Sequence, residues 1–535
     1  MGKLTTPFIL RDFHLGRYSP LNVGDFLCPE NSVSDCLNVN FDTVLGSIES
    51  RGGQNFLGAL VDVKTGTFHD AKVADGFGAG ATIFKTPSLP LGYPRMIAAV
   101  GLKNTVPNEV NIYWDDNSQA GDSLWHKSDY DVTTTPPGNP AVRFAQLNGH
   151  LFVASYGVPM YESADGNTWT KNGNCIPDSI NPSLVYRYAG RLLAAGDPNY
   201  PSRIWVSSVV DLSTSPFITW NIDPVDGDWI DVNPDDGGQI TGFAEASTFL
   251  LIFKDTGMYR TDDITTGVTP DNIFNVGATS QEAITICQGV VYFYSGKDIR
   301  STDSGYPQII SRAGIQDELN NETDLILGSD VVNVWATAGS GTCFKYSTRD
   351  QSWTIHLYSD APPVRFAPGI FNYSSLRSGT PSPISALCSV NFAISGPDDW
   401  ETYWCLMETG VTDGSYYDSN NDLVEGDKIL FNVQSQVIDF GDRATYKKIS
   451  DMVIGYAQNG TKLYFSVFND DDYGPVDAVI ANGLPKRVNL CDAPEQIGGH
   501  YFIFLWSGET AAGDSKVVIE GLEIQEITDT GTNYG

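Results

Sequence analysis

The sequence predicts an all-β chain: a β-propeller of about six to seven blades, followed by a C-terminal antiparallel β-sandwich accessory domain. Three observations carry that reading. The first is composition. The 535 residues include 53 Gly, 25 Tyr, 26 Phe and 11 Trp, which suits many short strands joined by tight turns. The second is a weak internal repeat whose starts lie very roughly 40–55 residues apart, the spacing of four-stranded blades. The third is the lack of long helical periodicity; the one helix-like stretch, 312–325, has no convincing apolar stripe. A single core stops growing at roughly 250–300 residues, and a closed ring of repeated sheets is one way past that limit.

Residues 1–60 read as an N-terminal arm with the first strands, 61–425 as the propeller and 426–535 as the sandwich. An early blade unit contains the strands 96–101 and 110–114 and then Leu124 and Trp125. The clearest unit passes through Phe144, Gly149, Gly157 and Trp169. Later units start at Leu184, Ile240, Ile284, Val331 and Ile384. In each, a short apolar strand enters a small-residue turn, an aromatic or branched strand follows, and a Gly turn ends it. Ring closure hides the sheet edges that a sandwich leaves open. Segments 163–169 (Ser163, Asp165, Gly166, Trp169) and 301–305 (Ser301, Asp303, Gly305) resemble the Asp-box hairpin of many propellers. There the Asp accepts turn amides and Gly supplies positive φ, so the motif is a structural turn without chemistry. After Gly410 the grammar changes. The acidic stretch 412–427 reads as a connection, and short strands follow at 428–433, 437–440, 448–454, 462–468, 501–506 and 516–519, enough for a small sandwich.

The formal charge is −33, from 32 basic and 65 acidic residues. Sequence-independent DNA binding needs Lys and Arg against phosphate, so this balance argues against it. It equally argues against an anionic membrane surface. The acidity serves solubility, or it lines a lumen past which DNA slides without sticking. No secretory signal and no bilayer-length apolar run is expected, and the Gly2–Thr6 match to a myristoylation pattern reads as chance. Cys28, Cys36, Cys175, Cys287, Cys343, Cys388, Cys405 and Cys491 are scattered without a CxxC. They are expected to be reduced thiols in a protein made in a cytoplasm.

No catalytic, cofactor-binding or metal-ligating residue is expected. His14, His69, His126, His150, His356 and His500 show no metal-ligand spacing, and none accompanies a nucleophile motif. The carboxylates Asp115–Asp116, Asp235–Asp236 and Asp470–Asp472 read as turns. Asp418, Asn420 and Asp422 begin like a calcium loop, but Leu423 stands where Gly is needed.

The most specific segment is N-terminal. It contains Gly24, Asp25, Cys36, Asn38, Val39, Asn40, Phe41 and Asp42, then Gly46, Ile48, Arg51, Gly52 and Gly53. It resembles the opening of the β-propeller nozzle (tubular tail) proteins of short-tailed bacteriophages. The run 437–449, with Gly441, Asp442, Lys447 and Lys448, resembles their accessory β-domain. This chain is shorter than the best-known nozzle proteins, which leaves room for a hub, stopper or head-associated role. The resemblance implies a structural virion protein made in the host cytoplasm and placed in the tail. It would form a homo-oligomeric ring, six-fold by the resemblance, around a DNA channel. It would contact an adaptor and fibres or a plug, and DNA would pass without specific binding. It implies no enzyme, no cofactor and no membrane. The competing classes are a propeller glycosidase and a receptor-binding tail protein, both acting on host surface sugars. The turn-rich segments 24–30, 214–238 and 413–427 are the candidate contacts of the ring. Their Trp220, Trp229, Tyr416 and Tyr417 either anchor an interface or pin their own loops.

Overall fold

The computed structural model describes residues 8–13, 15–18, 29, 31–41, 47–56, 60–61, 76–84, 95–102, 108–115, 125–134, 141–223, 225–338, 341–358, 363–366, 387–393, 400–410, 413, 416–417, 423–424, 428–440, 445–457, 463–470, 478–480, 488–489, 497–510 and 517–531. Within them the propeller is built from seven sheets. Their first strands are Gly76–Phe84, Val142–Leu147, Leu184–Tyr188, Ile240–Ala246, Ile284–Cys287, Ile326–Ser329 and Pro363–Phe366. Each of these touches the next, and the seventh touches the first, so the ring is closed. All seven sequence units are blades.

The reason these segments become blades is visible in their burial. Phe249–Lys254, FLLIFK, is buried at Leu250, Leu251, Ile252, Phe253 and Lys254, so both of its faces are covered. Blades stack face to face, and each face feeds a separate core. Phe152, Leu192, Ala194 and Trp205 fill the gap between the second and third blades, while Ile204, Phe243, Leu250 and Ile252 fill the next. Full burial of one such Phe or Leu contributes about 1.5–3 kcal/mol. The small-residue turns are two-residue hairpins with both residues left-handed. Asn148–Gly149 has φ 51° and 74°, Ala189–Gly190 47° and 74°, and Gln288–Gly289 51° and 79°. That geometry matches the strand twist, and Gly adopts it at no steric cost.

The ring is locked by the N-terminus. Gly53–Phe56 pairs with Trp400–Gly410 as the outer strand of the seventh blade, and Leu60–Val61 runs parallel to Trp125–Thr134 on the outside of the first. The second blade has three strands, and a single bridge between Glu162 and Thr170 stands in for the fourth.

The sandwich departs from the expected boundaries. Its first sheet contains Val39–Asn40 and Ile48–Ser50 beside Val518–Gly531, Tyr446–Ala457 and Val488–Asn489, with Phe8–Leu10 paired to Val518–Gly531. The second sheet runs Val33–Leu37, Ile429–Ser435, Phe502–Thr510, Leu463–Asn469, Ala478–Ile480. Residues 1–60 are therefore no separate arm. Leu10, Phe13, Val33, Cys36, Val39, Phe41 and Ile48 share one core with Phe465, Phe504, Trp506 and Ile524. The strand expected at 437–440 is one bridge, Ile438 to Phe502. Within 312–325 the chain makes a single helical turn, Gln316–Leu319.

Candidate functional site: the joint between sandwich and propeller

The N-terminal segment meets the sixth and seventh blades, and backbone comes first. Arg17 bridges Trp353, on the outer strand Ser352–Leu357 of the sixth blade, and also Val33 of the sandwich. The Asn38 amide donates to the Ile355 carbonyl at 2.8 Å. A blade and a sandwich sheet are thus continuous through the arm.

Side chains then bolt the contact. Arg51 has no solvent-exposed side chain and forms a two-pronged ion pair with Asp413, at 2.7 and 2.5 Å. Its remaining N–H groups donate to Asn38 Oδ1 at 2.8 Å, the Gly52 carbonyl at 2.9 Å and the Leu357 carbonyl at 2.9 Å. The guanidinium lies 4.0 Å from the Tyr358 ring centre. Asn38 also accepts from the Leu357 amide and donates to the Leu430 carbonyl, so one amide ties blade six to the sandwich. Lys345 Nζ donates to Asn40 Oδ1 at 2.8 Å and to Glu408 at 3.0 Å, and Asn40 Nδ2 donates to Glu408 at 2.9 Å. Arg17 donates to Glu318 at 2.5 Å and to the Gly314 carbonyl at 2.7 Å, on the turn entering that short helix. Gly52 is required by contact: a Cβ there would sit 2.5 Å from the Glu408 carbonyl oxygen.

His356 is fully buried at the centre of the joint. Nε2 donates to the Val39 carbonyl at 3.1 Å, and Nδ1 accepts from the Tyr358 hydroxyl at 3.5 Å. Burial pushes its pKa down to about 3; Glu408, 3.6 Å away, opposes that, while Arg51 and Lys345 add to it. The imidazole is neutral at pH 7. Each cation of the joint faces a carboxylate, so the arrangement positions domains and leaves no charge aimed at a ligand. Buried ion pairs stabilise little against apolar replacement, but losing one partner is costly.

The other expected features fall elsewhere. The Asp165 box forms as expected: Oδ1 accepts the Asn167 and Thr168 amides at 2.9 and 2.8 Å, and Ser163 Oγ accepts the Gly166 amide at 2.7 Å. At 303 the bond is weaker, with the Gly305 amide 3.3 Å from Asp303. Trp220 donates to the Asn174 carbonyl at 2.8 Å and packs on the core between the second and third blades, while Trp229 stands 4.4 Å from Arg203 of its own blade. Both are used inside the subunit, and the apolar groups exposed between 207 and 228 are Val209, Leu212 and Val225.

Asp236 binds buried Lys254, Thr256 and Tyr259. Asp470 bonds His500, and His150 Nδ1 lies 2.5 Å from Glu162. His126 stacks on Trp114 at 4.7 Å. Cys36, Cys175, Cys287 and Cys343 are buried thiols. Among the described residues, no three His, Cys, Asp or Glu side chains are gathered as metal ligands. No helix is long and apolar enough to cross a membrane among them. His14, His69, Cys28, Cys491, Asp116, Asp471, Asp472, residues 418–422 and nearly all of 24–30 lie outside the described residues, as do the side chains of Cys388, Tyr416 and Tyr417.

On the propeller axis the first strands line a partly open cavity of about 310 Å³. Arg143 of the second blade reaches across to Glu282, which precedes the fifth, with bonds of 2.9 and 2.8 Å.

No protein-family model matches the chain, and no curated protein matches it. Among solved structures the chain is similar to YCF48 bound to D1 peptide, at 10% identity and TM-score 0.34, over 62% of this chain and 94% of that one. YCF48 from Cyanidioschyzon merolae follows at 10% identity and TM-score 0.35, over 63% and 99%. BBS1N in complex with ARL6DN has 12% identity and TM-score 0.34, over 62% and 97%. These likenesses lend this chain no activity, partner or ligand.

Proposed function

We propose that this chain is a structural component of a bacteriophage tail. It is a nozzle-type subunit that assembles into a homo-oligomeric ring, six-fold by resemblance, around the path of DNA and carries fibres or a plug. The joint is the observation that carries this reading. Asn38, Asn40, Arg51 and Gly52 belong to the segment that resembles nozzle openings, and all four lock the sandwich to the sixth and seventh blades. A subunit under load needs such a rigid link between its propeller and its accessory domain.

The axial space is too small for a DNA duplex. A cavity of 310 Å³ holds about ten waters, so a DNA path must run between subunits. The charge of −33 suits a wall that repels phosphate, and DNA affinity at physiological salt is negligible in this account. Adaptor and fibre proteins of the tail are the partners, the virion is the location, and no residue is catalytic. Mass determination across a salt series, with and without the adjoining tail component, tests the reading. Closed oligomers in at least one condition are expected, and a strict monomer in all of them, and in the particle, overturns it. A panel of bacterial polysaccharides and sialosides should show no turnover.

A further inference from the structure

We propose that the axial cavity is a binding site for a neutral, mostly apolar molecule of about two fused rings, with indole and naphthalene as its simplest representatives. The site is independent of the tail reading.

Size comes first. The cavity measures about 310 Å³. It is partly open rather than sealed, so a ligand has a way in. It also falls at the lower end of small-molecule sites, roughly 300–1,000 Å³. The space exists because the chain places small residues where a large side chain would fill the axis. Ala79, Gly80 and Ala81 supply the first blade's wall, and Ala244 part of the fourth's. Gly80 is small for a separate reason, the close approach of the second blade: a Cβ there would meet the Val142 carbonyl oxygen at 2.1 Å.

Wall chemistry sets the ligand class. Phe144, Tyr186, Phe243 and Phe366 face the space from four different blades. The polar side chains beside them are already committed. The Gln281 amide brackets Phe243, accepting from its N–H at 2.8 Å and donating to its carbonyl at 3.0 Å. Thr285 Oγ1 donates to Ser329 Oγ at 3.0 Å. Arg143 is shared between both Glu282 oxygens and the Ser183 carbonyl. Burial, helped by the charge of Glu245, pushes Tyr186 up to about 12, so its hydroxyl stays neutral. A charged ligand would find no unpaired countercharge and would lose its hydration, whereas a flat apolar ring loses nothing and gains dispersion contacts.

Support explains why the space does not collapse. The Arg143–Glu282 pair spans from the second to the fifth blade and holds opposite walls apart. Both ends of it are largely buried, at 17% and 14% exposure, where a two-pronged pair is geometrically stiff.

The test uses the full chain. Titration calorimetry with indole, and separately with naphthalene, should give saturable binding of one molecule per chain. Ala244→Leu, which fills the cavity, should weaken it by about tenfold or more. A crystal pressurised with xenon should place the gas between Phe144, Phe243 and Phe366, a readout that needs no variant. Saturable binding weakened by Ala244→Leu, or xenon in the cavity, supports the site. The proposal is overturned if neither probe saturates and xenon stays out, or if both probes bind the variant as well as the parent and xenon settles elsewhere.

Discussion

Arg51 concentrates the joint's chemistry in one side chain. Its five N–H groups are distributed over Asp413, Asn38 and two backbone carbonyls, and its face lies on Tyr358. Arg51→Ala leaves the Asp413 carboxylate short of its partner, so a loss of about 3–5 kcal/mol is expected in denaturant unfolding. Arg51→Lys should recover little, because an ammonium cannot reproduce the fork. His356 gives a pH signature. Its folded pKa is depressed to about 3, below the unfolded value of about 6.5. The unfolded chain therefore binds the extra proton first. The contribution of His356 is full above about pH 6.5 and is lost as pH falls towards 3, by roughly 1 kcal/mol per pH unit. Unfolding midpoints measured across that window should fall in the parent and flatten in His356→Gln. The segment around Asn38 and Arg51 was legible as special. Its partners Lys345, Glu408 and Asp413 were not, because contacts more than three hundred residues apart leave no local spacing to read.

At the scale of elements, the blades and a closed ring were legible, and the strand that completes the last blade was not. A blade announces itself through an apolar strand, a left-handed turn such as Asn148–Gly149 and a second strand, all within about twenty residues. The Asp165 hairpin was legible for the same reason, since its bonds span only two or three residues. Gly53–Phe56 is four residues with no alternation, and only its partner Trp400–Gly410 reveals its role. Likewise Phe8–Leu10 and Ile48–Ser50 are too short to declare a sheet, so the arm's membership of the sandwich was hidden. The closing strand makes a specific prediction. Gly52→Ala places a methyl against the Glu408 backbone, where neither side is a flexible side chain. A loss of about 1–3 kcal/mol is expected, together with faster amide exchange across 400–410 than in the parent. Unchanged exchange there would separate the glycine from ring closure.

At the scale of the molecule, the segment that completes the sandwich core, together with residues after 428, is also the one hydrogen-bonded to the sixth and seventh blades. Residues 426–535 expressed alone lack Leu10, Phe13, Val33, Val39, Phe41 and Ile48 from that core. They should give no cooperative unfolding transition, whereas the same fragment joined to residues 1–52 should regain one. In the proposed tail subunit, neighbours would meet through loops and accessory domains, because ring closure takes up the sheet edges. The most direct measurement is electron microscopy of purified protein and of phage particles that contain it. The account predicts closed rings of this chain on the tail, with the DNA path between subunits and none through a propeller axis. A protein that stays a single copy in the particle, standing off the tail axis as a spike or fibre tip, would contradict it.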